Sequence, residues 1–298
     1  MKIGYTPTLR LRNVEKHFGL KGTLYGKAEF LNPAGSIKDR VAEAMIKEYN
    51  ICGILRKGCT IIEATSGNTG IALAMLGALH GYRVKITMPE GASEERARLM
   101  RTYGAEVILT ENSKGMSGAI KVAEEIAQND VGAVMMRQFQ NDACVRCHYT
   151  KTAREIYNDM YGNIDAFVAG VGTGATLAGI GRYLRKHTRA VICAVEPKES
   201  PVLSGGKASS HGIEGIGAGF IPYFYDSALT EKVIAVSTEE AKEMSRVLAR
   251  QEGVLVGISS GANLAAAVKL GKENEWRIVL PLCDRGERYF SCGVFPID

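Results

Sequence analysis

Thr60-Ile61-Ile62-Glu63-Ala64-Thr65-Ser66-Gly67-Asn68-Thr69-Gly70 is the stretch whose reading decides the fold. A short apolar run passes through a polar turn into Asn68–His80, which reads as a helix. The same unit recurs downstream. Arg83–Met88 is a strand, followed by a helix over Ser93–Tyr103 with a serine cap and Glu94 and Glu95 in its first turn. Glu106–Thr110 and Met116–Gln128 repeat the scheme, as do Asp165–Ala169, Ala175–Lys186 and Ala190–Val195. Val233–Val236, Thr238–Glu252, Gly261–Leu270 and Arg277–Leu280 complete it. Such alternation predicts an α/β protein with parallel sheets covered by helices on both faces.

A chain of 298 residues suits one large domain or two lobes sharing an interface. Its 46% hydrophobic and 23% charged residues are ordinary for a globular protein, so neither disorder nor a fibrous class is indicated. A net charge of +5 without a dense Lys/Arg run fits a small anionic ligand and gives no reason to expect nucleic acid. Nothing approaches the ~20 apolar residues of a membrane span, and Met1–Tyr5 lacks the apolar core of a signal peptide. The expected location is the cytoplasm, with Cys52, Cys59, Cys144, Cys147, Cys193, Cys283 and Cys292 as reduced thiols. Cys144-Val-Arg-Cys147-His148 spells a haem-attachment pattern. It falls in an expected helix over Asn141–Tyr161, and no second Cys pair completes a zinc shell, so no metal is expected.

Three loops carry candidate chemistry. Asn32-Pro-Ala-Gly-Ser-Ile-Lys38-Asp-Arg40 turns at Pro33 and Gly35, with Ser36 as a cap, and sets Lys38 in the first turn of a helix. A cation is disfavoured there, so Lys38 is either solvated or an amine consumed in a Schiff base. Glu63–Gly70 gathers hydroxyls, an amide and backbone N–H groups at a helix N-terminus, which makes either a carboxylate site or a capped polar turn. Gly170-Val-Gly172-Thr173-Gly174-Ala175-Thr176 makes a phosphate cradle. With Glu196 at the end of the next strand it also satisfies a dinucleotide fingerprint, leaving an NAD-dependent dehydrogenase as a rival.

Taken together, the loops resemble the fold-type II pyridoxal-phosphate enzymes, in the cysteine synthase and cystathionine β-synthase branch. The resemblance runs from Ile3-Gly-Tyr-Thr-Pro7 to Gly286-Glu-Arg-Tyr289. It includes Asn32–Arg40, Thr65–Gly70, Gly172–Thr176, Ala194-Val-Glu-Pro197, Gly215-Ile-Gly-Ala-Gly-Phe220 and Gly257-Ile-Ser-Ser-Gly261, in order. It implies two lobes of the tryptophan synthase β-like kind, each a mostly parallel twisted sheet flanked by helices. Residues 32–140 would form the smaller lobe, and 1–31 with 141–298 the larger. Pyridoxal 5'-phosphate would be held by Lys38, with Asn68 at its ring hydroxyl. Gly172, Thr173, Gly174 and Thr176 would hold its phosphate, and Ser259 would face its pyridine nitrogen. Thr65, Ser66, Asn68, Thr69 and Gln138 would grip the substrate carboxylate, with Gly215 lining the opposite side.

The implied reaction is β-substitution on a serine- or cysteine-like amino acid through an aminoacrylate, foremost cysteine synthesis from O-acetylserine and sulfide. The alternative consumes cysteine and releases hydrogen sulfide, as in cysteine desulfhydration or lanthionine and cystathionine synthesis. A catalytically silent binding homologue is a further alternative, against which Lys38 and Ser259 stand. A homodimer is implied, with serine acetyltransferase as a candidate partner. Departures from the family pattern are Ala175 where Gly is commoner, Glu214 where many members have Gln, and Gln138-Phe139-Gln140-Asn141 leading into Asp142-Ala143-Cys144. They leave the leaving group and nucleophile open.

Overall fold

The computed structural model describes residues 1–295. Two compact units are present: Met1 with Lys38–Cys144, and Lys2–Ile37 with the chain from Val145 onward. The larger unit opens with β1 (Thr8–Arg10), α1 (Arg12–Phe18) and β2 (Thr23–Ala28). The smaller unit follows, with α2 (Lys38–Ile51), β3 (Thr60–Ala64), α3 (Asn68–His80) and β4 (Arg83–Pro89). It continues through α4 (Glu94–Thr102), β5 (Glu106–Thr110), α5 (Gly115–Asn129) and β6 (Ala133–Met135). The helical stretch α6 (Ala143–Cys147) and α7 (Ala153–Asp159), joined by a π-helical turn at His148–Thr152, returns the chain to the larger unit. That unit then adds β7 (Ala166–Gly170), α8 (Ala175–His187), β8 (Val191–Pro197) and β9 (Lys232–Val236). It ends with α9 (Thr238–Glu252), α10 (Ile258–Glu273) and β10 (Arg277–Leu282).

In the smaller unit the strand order is β5-β4-β3-β6, all parallel. β3 is central and buried at all five positions. Ile62 and Ala64 pack on Ala119 and Ala123 of α5, so Glu63 points to the opposite face by the two-residue alternation of a strand. α3 is buried continuously from Thr69 to Gly77. At Gly77 a Cβ would lie 2.2 Å from Val84 Cγ2, so the glycine permits the close approach to β4.

In the larger unit the order is β1-β2-β10-β7-β8-β9, with β1 antiparallel to β2 and the rest parallel. Alternate residues of the central strands feed two cores. Val168, Val195 and Leu280 join residues of α1, α9 and α10, while Phe167, Ala194 and Val279 join Ile156, Ile180 and Leu184 of α7 and α8. Helices therefore cover both faces, as a parallel sheet requires.

The unit boundaries fall later than the sequence suggested, at 38 and 144 rather than 32 and 140. Ser36 bridges to Asp284, Ile37 N–H donates to Cys283 O (2.8 Å), and the Arg288 guanidinium bonds Ala34 O, so Asn32–Ile37 stays with the larger unit. Asn141 ties its segment back to the smaller unit: its N–H reaches Arg137 O, and its Nδ2 donates to Met136 O. Expected caps also differ. Ser93 occupies the N-cap of α4, yet its hydroxyl has no hydrogen-bond partner, so Glu94 and Glu95 alone complement that helix end. α2 begins at Lys38, which places Ser36 outside the cap position.

Candidate active site

The cradle lies where β7 hands over to α8. Gly172 cannot carry a side chain, because a Cβ would sit 2.3 Å from Gly215 O. Gly174 is the N-cap of α8 in the left-handed region (φ +83°), and a Cβ there would meet Tyr225 N at 2.9 Å. With the left-handed conformation carried by residue 174, Ala175 enters the helix proper and needs no glycine. Thr173 Oγ1 accepts from Ala175 N (3.3 Å). Thr176 Oγ1 meets His148 Nε2 at 3.2 Å, and His148 Nδ1 meets Thr152 Oγ1 at 3.0 Å. His148 is fully buried on the π-helical turn.

Ser259 lies in the first turn of α10, which is capped by Gly257, and is 6% exposed. Gly215 (φ +93°) faces it: a Cβ on Gly215 would lie 3.9 Å from Ser259 Cβ. Gly172, Gly215 and Ser259 are thus neighbours within the larger unit. Ser260 does not cap α10; its hydroxyl accepts from Cys283 N (2.8 Å). Asn263 on the same helix accepts from Gly170 N (2.7 Å) and donates to Pro281 O (2.9 Å), fixing the start of the cradle against β10.

In the smaller unit, Thr65–Asn68 forms the turn between β3 and α3. Gly67 is the N-cap, and no side chain caps the helix. Thr65 Oγ1 accepts from Gly67 N (3.2 Å), and Thr69 Oγ1 donates to Gln138 Oε1 (2.6 Å). Among the described residues, the half-buried Ser66 hydroxyl has no partner. Lys38 is half-buried at the first position of α2, and Asn68 is half-buried at the first position of α3.

α4 and α9 each carry two acids in the first turn, whereas α3, α8 and α10 share with α5 and α6 a first turn without an acid. A helix N-terminus without its own anion is suited to one from outside. The cradle that Cβ atoms would fill, the α8 N-terminus and the two threonine hydroxyls fit a phosphate. Pyridoxal phosphate suits this donor set of the larger unit, an anion cradle with the Ser259 hydroxyl near it.

His148 and Asn263 were not read as site residues. His148 was visible only within Cys144-Val-Arg-Cys147-His148, and both of its ring nitrogens are committed to threonine hydroxyls. Cys144 and Cys147 are buried. Glu196 does not present itself to a ribose. Its carboxylate accepts from Leu203 N (2.7 Å) and from the Ser204 hydroxyl, closing the turn after β8.

Comparison with known proteins shows the same cofactor class. The family described as pyridoxal-phosphate dependent enzymes matches residues 1–284. A cysteine synthase of Staphylococcus aureus is 45% identical over 300 residues, 99% of this chain and 96% of that one. The crystal structure of cysteine synthase from Entamoeba histolytica superposes with a TM-score of 0.94 at 40% identity, covering 99% of this chain and 89% of that one. A hydrogen sulfide-producing enzyme from Fusobacterium nucleatum superposes with a TM-score of 0.92 at 40% identity, covering 97% of each chain.

Proposed function

Because the chain belongs to the pyridoxal-phosphate dependent enzymes, we propose that it replaces the β-substituent of a serine-like amino acid, making cysteine from O-acetylserine and sulfide. The observation that carries this reading is the neighbourhood of Gly172, Gly215 and Ser259. Its Ser259 hydroxyl supports putting the ring nitrogen there, beside the phosphate cradle. When bound, the cofactor supplies the electron sink that lets the Cα proton and the β-group depart. A serine hydroxyl donates no full charge to that ring, which suits loss of a good leaving group over transamination.

The remaining roles belong to the chain. Lys38 holds the cofactor through its amine, and that amine, once displaced, is the base for the Cα proton and returns it at the end. Gly172, Thr173, Gly174 and Thr176 hold the phosphate, with His148 orienting Thr176. Asn68 stands at the ring hydroxyl. Thr65, Ser66, Asn68, Thr69 and Gln138 receive the substrate carboxylate and fix the reacting bond, and Gly215 leaves room opposite. In this reading the smaller unit carries the lysine and the carboxylate loop, and the larger carries the cradle and Ser259. A cytoplasmic homodimer, with serine acetyltransferase as a partner, belongs to the same reading.

A second reading consumes cysteine and releases hydrogen sulfide. What supports it is the likeness to a hydrogen sulfide-producing enzyme, together with Glu214 where many family members have Gln. The test supplies O-acetylserine with sulfide, serine, and cysteine separately to the holoenzyme and measures cysteine, acetate and sulfide. Cysteine formation dominates under the first reading. A sulfide-release rate from cysteine far above the O-acetylserine rate establishes the second in its place.

A further inference from the structure

Beneath the Thr65–Thr69 turn lies a carboxyl group that the mechanism above does not use. Glu63 is 3% exposed on the central strand of the smaller unit, on the face opposite Ile62 and Ala64. Its Oε2 accepts from Gln138 N at 3.3 Å, across 75 positions of sequence. The same Gln138 presents its side-chain oxygen to the Thr69 hydroxyl. Arg137, one residue earlier, holds a left-handed backbone (φ +55°), which a non-glycine residue adopts at a cost of roughly 1–2 kcal/mol. The turn is held by Gln140 N and Asn141 N on Arg137 O, both 2.9 Å. A chain forced into this conformation needs an acceptor to fix it, and a buried Gln138 N–H without one would lose its bond to water and gain nothing.

We propose that Glu63 is a positioning residue for amino-acid substrate binding: its carboxyl fixes the Arg137–Gln138 backbone, and through it the Gln138 side chain that pairs with Thr69. The inference rests on the reading of Thr65–Thr69 with Gln138 as the substrate carboxylate site. Glu63 acts through Gln138 and does not touch substrate. Burial pushes the Glu63 carboxyl up to about 7, against the backbone N–H groups of Gln138, Ala64 and Arg137 and the Arg137 charge, which favour ionisation. The titratable groups that face it are Arg137, in the segment after β6, and Tyr49 of α2, itself under the influence of Glu48. A neutral carboxyl puts no second negative charge beneath a site that receives a carboxylate. An ionised one does, and weakens the site.

The test compares the holoenzyme with Glu63→Gln and Glu63→Ala, measuring cofactor content, KM and kcat for O-acetylserine, and the dissociation constant of L-serine from the visible absorbance. In the unaltered protein KM rises between about pH 6 and 8, around the Glu63 value of about 7. Glu63→Gln keeps cofactor and kcat and flattens that rise. Glu63→Ala raises KM and the L-serine constant about tenfold with cofactor content unchanged, as expected for one lost positioning bond. A pH rise that persists in Glu63→Gln, or is absent from the unaltered protein, overturns the proposal. So does an unchanged KM in Glu63→Ala, and if that variant does not fold, the Glu63→Gln profile decides. Thr69→Val and Gln138→Ala are measured alongside. If they raise KM and the Glu63 variants do not, this inference alone fails. If they too leave KM unchanged, the carboxylate site is wrongly placed and the inference falls with it.

Discussion

The Thr69 hydroxyl donates to Gln138 Oε1 at 2.6 Å, joining the first turn of α3 to the segment after β6. With its oxygen engaged, the Gln138 amide keeps its NH2 as a donor, and the bond fixes which way it points.

Thr69→Val keeps the shape of the buried side chain and removes the donor. The expected result is an increase in KM for O-acetylserine of about tenfold, with kcat falling less and cofactor content unchanged. Steady-state kinetics with cofactor quantified by absorbance checks it. Equal kinetics in the two proteins would remove this pair from the substrate site.

Gly172→Ala brings a methyl group against the Gly215 carbonyl, 2.3 Å away, and neither backbone is a flexible partner. The loop must shift, at about 1–3 kcal/mol, so cofactor affinity falls by roughly 10–100-fold. Equilibrium dialysis against pyridoxal phosphate measures it, and undiminished affinity would place the phosphate elsewhere.

Lys38→Ala is expected to abolish turnover. In the unaltered protein, borohydride reduction followed by peptide mapping should find the pyridoxyl group on Lys38. A label on any other lysine refutes the assignment.

Ser259→Asp introduces an acid at a helix N-terminus that has none, so the fold should tolerate it. A carboxylate there would keep the ring nitrogen protonated, shifting the visible absorbance and depressing β-substitution sharply, while Ser259→Ala loses only a modest part of the rate. Unchanged spectrum and turnover in Ser259→Asp would mean that the ring nitrogen lies elsewhere.

Glu63 also makes stability depend on pH. Its value in the folded protein is about 7 against 4.5 for an unperturbed glutamate, so the folded state holds the proton more tightly than the unfolded state. The contribution is full below about pH 4.5 and is lost as pH rises through about 7, a decline of about 3 kcal/mol. Urea denaturation across that range should show this decline, and Glu63→Gln should lack it.

Much of this was legible from the sequence, for reasons tied to particular residues. β3, α3, β5 and α9 begin and end where periodicity and turn residues place them. The turn between β7 and α8 was legible because glycines at 172 and 174 follow a strand and open a helix. The first 30 residues were not. β2 reads as no ordinary strand because it contains Gly26 and Lys27, yet Lys27 is 1% exposed and pairs with Glu155 and Asp159. Gly26 lets Leu282 pack where a Cβ would lie only 2.6 Å away. Both explanations are long-range, so no local window contains them. Serine caps were over-read for a related reason: a hydroxyl near a helix end signals a cap only if the helix starts just after it. α2 starts two residues after Ser36, which leaves that hydroxyl outside the cap position. His148 and Glu63 stood inside stretches already read, but their contacts with Thr176 and Gln138 lie 28 and 75 positions away.

The register of β2 against β10, Thr23 opposite Arg277 through Ala28 opposite Leu282, also sets an order of events during synthesis. The partner strand emerges some 250 residues after β2, a delay of about 10–50 s at typical elongation rates of about 5–20 residues per second. The four strands of the smaller sheet, by contrast, come from one unbroken stretch of chain and are all available before β7 is made. On the ribosome the inserted unit can therefore close its sheet while β2 has only β1 beside it and still lacks its parallel neighbour β10. Lys38, the first residue of the insert after β2, is made early, and the larger sheet is among the last parts to be completed.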